Sequence, residues 1–171
     1  MRARAAALLL AAGCFGAPQG DVAAERSVAA NTEGCVVARI VDGDTFACAD
    51  GTRVRLLLLD APERGQGAYA DSAARLLSRL TPVGTRVRLV RDVQPHDRYR
   101  RLLAYVYAGD VFVNRELVRR GMAHVAVYPP NVREVETLRA AADSARAERL
   151  GLWSGSALEC APADWRAGRC R

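Results

Sequence analysis

The chain contains no lysine: all 25 of its basic residues are arginine. Contacts to phosphate must therefore come from planar guanidinium forks, which bind two oxygens at once, rather than from point-charge ammonium groups. Histidine is almost as scarce. His96 and His124 stand far apart, which offers no histidine-based nuclease site, and both read as ordinary loop and strand residues. No CxxC pair occurs, which argues against a thiolate zinc site. No GxSxG pattern suggests a serine hydrolase. No apolar run reaches the roughly 18 to 20 residues of a membrane span, and there is no internal repeat.

What is present is an ordinary globular balance, half hydrophobic and about a quarter charged, over 171 residues. That length suggests one domain with appendages. A net charge of +6 favours polyanionic partners such as nucleic acid. Residues 1–24 read as an export signal: Arg2 and Arg4 are followed by a short apolar stretch, Ala5 to Ala12, and then small residues. Leu10-Ala11-Ala12-Gly13-Cys14 also resembles a lipoprotein cleavage box ending at Gly13, so ordinary signal cleavage and a lipid anchor at Cys14 both stand. The expected location is periplasmic, secreted or envelope-anchored. Cys35, Cys48, Cys160 and Cys170 form an even set, as in exported disulfide proteins, with three possible pairings. Cys35–Cys48 is favoured because both lie on strands flanking one tight turn, with Cys160–Cys170 as a staple in the tail.

Residues 25–34 are small and polar and read as a linker. Val36 to Val41, Thr45 to Cys48 and Thr52 to Leu59 read as three strands joined by tight turns at Asp42-Gly43 and Asp50-Gly51. The third strand is apolar on both faces after Arg55, so both faces must be covered. A helix is expected over Tyr69 to Leu80, a fourth strand around Val87 and Leu89, and a fifth over Leu102 to Tyr107. Asn114 is expected to cap a short helix that stops at Gly121, and a last helix runs from about Arg133 to Arg149. The pattern predicts an α+β fold, a five-stranded OB-fold barrel with three helices, over residues 35–154. Residues 155–171 read as an irregular, cysteine-containing tail.

The chemistry concentrates between Asp42 and Glu63, where Asp42, Asp44, Asp60, Glu63 and Arg55 surround four consecutive leucines. Charges so close to a buried strand must be paired or bind a metal. Asp44 at a turn and Asp60 at a strand end can project past a barrel rim. With the Ala61 carbonyl and waters they make a hard-oxygen set suited to Ca²⁺. Asp42 and Asp50 read, taken singly, as turn formers. Arg55 and Arg101 could supply the two forks that stabilise charge on a phosphodiester; most other arginines, such as Arg53, Arg86 and Arg88, read as solvated charges. Glu63, rigidly placed after Pro62, could act as general base on an attacking water. One conflict is visible. Arg55 and Asp60 are five residues apart, so strict alternation puts them on opposite faces unless a bend turns the carboxylate back.

Taken together, VDGDT (Val41 to Thr45), RLLLLDAPE (Arg55 to Glu63), DRYRRLLAYVY (Asp97 to Tyr107), LVRRGMAHVAVY (Leu117 to Tyr128) and GLW (Gly151 to Trp153) resemble the thermonucleases, the staphylococcal or micrococcal nuclease-like family. The resemblance covers roughly Cys35 to Ser154. It implies Ca²⁺-dependent endonucleolytic hydrolysis of DNA and RNA at the 5′ side of the phosphodiester, leaving 3′-phosphates. It implies that Asp44, Asp60 and the Ala61 carbonyl bind calcium, that Asp42 is a nearby supporting acid, that Glu63 is the general base and that Arg55 and Arg101 bind the phosphate. Arg98 and Tyr99 would meet a terminal phosphate, and Tyr128 would stack on a base. Single-stranded substrate, no protein partner and a monomeric state are expected. Two departures stand out. The family has Gly where this chain has Arg100, which would be strained if that position needs φ > 0. Val127 stands where a second stacking aromatic is expected. The competing readings are a non-catalytic OB-fold module binding single-stranded nucleic acid, and an envelope-anchored calcium or protein-interaction domain.

Overall fold

The computed structural model describes residues 32–155 and 161–169. The export signal, Cys14, most of the expected linker and the Cys160–Cys170 pairing lie outside the described residues. No helix among the described residues is long and apolar enough to cross a membrane.

Strands β1 (Thr32–Ile40), β2 (Thr45–Cys48) and β3 (Arg53–Leu56) form the expected antiparallel meander. The chain then makes a two-residue turn and a very short strand, β4 (Leu59–Asp60), before helix α1 (Ala68–Leu80). Strand β5 (Arg86–Val90) pairs with β1, and β6 (Leu102–Ala108) pairs with β5. The barrel closes where β6 runs parallel to β3, with Val54 opposite Leu102 and Leu56 opposite Ala104. The remaining elements are β7 (Val111–Phe112), α2 (Val113–Arg119), β8 (His124–Val125), α3 (Val135–Ala147), a 3₁₀ turn (Gly151–Trp153) and α4 (Pro162–Arg166). The five-stranded barrel with helices is therefore the expected OB-type α+β fold. Alternation along β5 behaves as read: Val87 and Leu89 enter the core while Arg86 and Arg88 face solvent.

Four local readings are corrected. Thr32, Glu33 and Gly34, the last residues of the expected linker, already pair with Val90, Leu89 and Arg88. The expected third strand ends at Leu56, because Leu57 and Leu58 form a turn in which Leu58 adopts a left-handed φ of 61°. Burying the whole leucine run makes this unfavourable backbone tolerable, since all four leucines are buried. The tail is not wholly irregular, because Pro162, fixed in φ, opens the short helix α4.

The fourth correction is Asn114, which does not cap a helix. It is fully buried; its Oδ1 accepts from the Val106 amide at 2.9 Å and its Nδ2 donates to the Leu57 carbonyl at 2.9 Å. The side chain thus clips the leucine turn to β6. Asn114→Ala orphans a buried amide and a buried carbonyl, at about 1–3 kcal/mol each. We expect it to lower stability by about 3 kcal/mol in urea unfolding, with an unchanged m-value.

The core comprises side chains such as Phe46, Leu77, Leu89, Tyr105, Leu117 and Leu138. Cys35 and Cys48 form the expected disulfide, with Cα atoms 5.7 Å apart across the first hairpin. On the far side Gly121 and Gly151, both at positive φ, cross in backbone contact, and the Leu152 amide donates to the Gly121 carbonyl at 2.8 Å. This crossing ties the end of α2 to the segment that follows α3.

Candidate active site

The bend between β1 and β2 presents Asp44 inward. The Asp44 amide donates to Asp42 Oδ1 at 3.1 Å, so Asp42 shapes the bend. The Asp44 carbonyl accepts from the Leu56 amide at 2.9 Å, which fixes the bend to β3. Asp44 is only 6% exposed. Burial, opposed by Arg55, pushes its carboxyl up to about 6. Its Oδ1 accepts from Thr45 Oγ1 at 3.0 Å and its Oδ2 from the Ala61 amide at 3.0 Å.

The bend can sit this close to α1 only because residue 43 lacks a side chain. A Cβ there would lie 2.7 Å from the Cβ atoms of both Ala61 and Ala73. Gly43→Ala must therefore push the Asp44 bend away from Ala61. We expect a loss of about 1–3 kcal/mol together with weaker cation binding, measured by thermal melts with and without Ca²⁺.

The left-handed Leu58 resolves the conflict between Arg55 and Asp60. By reversing the pleat it returns the carboxylate to the face of the arginine. Arg55 Nε lies 3.0 Å from Asp44 Oδ1 and Nη2 lies 3.4 Å from Asp60 Oδ1, so one guanidinium bridges two buried acids. A further donation, from Nη1 to the Leu56 carbonyl at 2.7 Å, holds the fork in plane.

Arg101 is placed by a separate loop. Arg100 does adopt a positive φ, 62°, so the position that suits glycine carries a strained arginine. The loop keeps its shape because Asp97 Oδ1 accepts the amides of Tyr99 and Arg101, at 2.9 and 3.0 Å, while its Oδ2 accepts Arg101 Nε at 2.7 Å. Partial burial pushes the Asp97 carboxyl up, but the Arg101 amide and guanidinium outweigh it and hold it below the usual carboxylate range. Arg101 Nη1 reaches Thr45 Oγ1 at 3.4 Å, and that hydroxyl is itself bonded to Asp44. The second arginine thus points into the acidic cluster.

These side chains meet in a cleft of about 680 Å³. Asp42, Asp44, Arg55, Glu63, Arg98, Tyr99, Arg101 and Tyr128 all line it, and buried Asp60 is tied to its wall through Arg55. Tyr99 and Tyr128 are 61% and 64% exposed, and the Arg98 guanidinium lies 4.7 Å over the Tyr99 ring while donating to its hydroxyl. Val127 packs against the core instead of facing the cleft with Tyr128. His124 is shielded from solvent, edge-on to Trp153 at 5.1 Å, and burial holds its imidazole below the usual range.

Sequence reasoning missed one residue. Arg166, on α4, donates through Nη1 to Asp60 Oδ1 at 2.8 Å and to Glu63 Oε1 at 2.6 Å, and through Nη2 to Asp60 Oδ2 at 3.0 Å. Nothing in the tail signalled this, beyond a proline able to start a helix just before a basic residue.

Among the described residues, no group of three His, Cys, Asp or Glu side chains is arranged to hold a metal ion unaided. The donor set still fits a hard cation. It offers only oxygens, Asp60 already takes two guanidinium groups, and Asp44 and Asp60 converge on one positive centre at Arg55.

A family model described as staphylococcal nuclease homologue matches residues 53–155. The chain is 36% identical over 130 residues to a thermonuclease of Staphylococcus intermedius, covering 71% of this chain and 76% of that protein. It is 36% identical over 137 residues to an uncharacterized endonuclease of Haemophilus influenzae, covering 77% and 72%. A thermonuclease of Staphylococcus hyicus is 34% identical over 134 residues, covering 73% and 78%.

Proposed function

Because the chain belongs to the staphylococcal nuclease homologue family, we propose that it is a Ca²⁺-dependent nuclease that hydrolyses DNA and RNA and leaves 3′-phosphates. The nuclease activity itself follows from the thermonuclease and endonuclease relatives. The calcium dependence and the residue roles are supported by the geometry of the cleft, and the cleavage side by the resemblance of the motifs to the family. The observation that carries them is the Arg55 bridge between Asp44 and Asp60, with Arg101 one hydroxyl away.

Asp44, Asp60 and the Ala61 carbonyl would hold the ion, whose charge would polarise the phosphate and sharpen an attacking water. Arg55 and Arg101 approach the cluster from two elements and can each grip a phosphate oxygen, where charge grows as the phosphorus is attacked. Glu63, on the rigid exit of β4, accepts the proton of the attacking water. The water oxygen bonds to phosphorus and the bond to the 5′ oxygen breaks; that oxygen takes up a proton from solvent, giving a 3′-phosphate and a 5′-hydroxyl. Arg98 and Tyr99 receive a terminal phosphate, and Tyr128 supplies a stacking face, which favours single strands whose bases are unpaired. The arginine-only positive charge suits this polyanion.

The Cys35–Cys48 disulfide supports the export reading of the N-terminal segment, since such bonds persist in oxidising compartments. The chain would act there as a monomer, free or anchored at Cys14.

The test is incubation of the purified protein with end-labelled single-stranded DNA in Ca²⁺ and in chelator. Ca²⁺-dependent fragments whose mobility shifts on phosphatase treatment are expected. Binding without cleavage would replace the enzyme with a non-catalytic nucleic-acid-binding module.

A further inference from the structure

Among the described residues, Arg166 is the one arginine in the cleft contributed by the segment after the barrel, and its guanidinium lies against the acids that would bind a cation. It engages both oxygens of Asp60 and one oxygen of Glu63. We propose that Arg166 is a built-in substitute cation: docked, it occupies the acidic pair and excludes the catalytic metal, and metal binding releases it. This rests on the nuclease reading of the same site, and it adds a self-blocked resting state to it.

The electrostatics oppose joint occupancy by the ion and Arg166. A calcium ion sits about 2.3–2.6 Å from a carboxylate oxygen, which would put it roughly 5 Å or less from a guanidinium bonded to that same oxygen. Two such positive centres repel, and Arg55 already adds a third charge on Asp60 Oδ1 at 3.4 Å. The general base is affected as well. Glu63 Oε1, needed to accept a proton, is instead a hydrogen-bond acceptor of Arg166 at 2.6 Å.

The hold is built to be reversible. Arg166 sits on a five-residue helix, and its side chain is 41% exposed, so water and salt reach one side of the pair although Asp60 is buried. Docking gains little else: Pro162 is buried and Trp165 lies over Gly65, but the rest of α4 is exposed or half-exposed. A dication binding several oxygens can outcompete such a contact. The arrangement would keep the site closed at low calcium and open it as calcium rises.

The experiment is calorimetric Ca²⁺ titration of the full chain and of Arg166→Ala and Arg166→Lys, without substrate. Removing an exposed paired charge should tighten Ca²⁺ binding by about threefold to tenfold in Arg166→Ala, with Arg166→Lys between it and wild type. Trp165 reports the release independently. With Trp153→Phe as background, Ca²⁺ should shift Trp165 emission to longer wavelength, and Arg166→Ala should show the shifted emission before calcium is added. Unchanged Ca²⁺ affinity in Arg166→Ala would overturn the proposal. Lower turnover at unchanged affinity would do so too, making Arg166 a substrate contact. No Ca²⁺ binding by any of the three proteins would overturn the calcium reading of the site along with it.

Discussion

Replacing Glu63 by Gln should lower turnover on single-stranded DNA by about 10²–10⁴-fold, the usual loss when a positioned general base is removed. Gln keeps the shape and the oxygen that Arg166 contacts but cannot take up a proton at neutral pH. Its effect on calcium should have the opposite sign. Weakening one anchor of Arg166 lets the ion compete better, so Ca²⁺ affinity should hold or rise slightly. Asp44→Asn should do the reverse, since it neutralises a buried carboxylate whose Oδ1 pairs with Arg55 and whose Oδ2 accepts from the Ala61 amide. Calorimetry and single-turnover cleavage separate the two variants. Equal losses of affinity and turnover in both would refute the division of roles.

The largest effect on folding is expected at the glycine crossing. A Cβ on Gly121 would lie 2.1 Å from the Leu150 carbonyl oxygen, and one on Gly151 would lie 2.3 Å from the Gly121 carbonyl oxygen. Both obstacles are backbone atoms, which no rotamer change can move. Both residues also have positive φ, 65° and 52°, which costs an L-residue about 1 kcal/mol beyond the overlap. Gly121→Ala should therefore cost about 2–4 kcal/mol, well above a typical surface change. Thermal melts at several calcium concentrations provide the check, because a purely structural loss persists when the site is saturated. A stability within 0.5 kcal/mol of wild type, the usual range of neutral surface changes, would mean that the crossing is looser than described.

Much of this was legible from residue patterns. Asp-Gly pairs marked the hairpin turns, alternation located Val87 and Leu89, and the spacing of Leu76, Leu77 and Leu80 located α1. The ten residues expected at the site lie in the cleft or on its acidic support, because most belong to short continuous segments whose ends the barrel brings together. What was hidden has physical causes. A leucine in a left-handed turn has no propensity signal, so the reversal that faces Asp60 toward Arg55 showed only as a conflict with alternation. Asn114 matches a helix cap as well as a buried clip, and tertiary packing decided between them. Arg166 was unreadable because its partners lie more than 100 residues away, at separations of 106 for Asp60 and 103 for Glu63.

The parallel ladder between β3 and β6 carries one more consequence. It joins Val54 to Leu102, so Arg101 comes to Thr45, the neighbour of Asp44, only when the last of the five barrel strands has met one made about 50 residues earlier. A chain in which β6 is not yet made, or is held unfolded, cannot assemble this arrangement. For a nuclease, cleavage capacity therefore arises only once the barrel has closed.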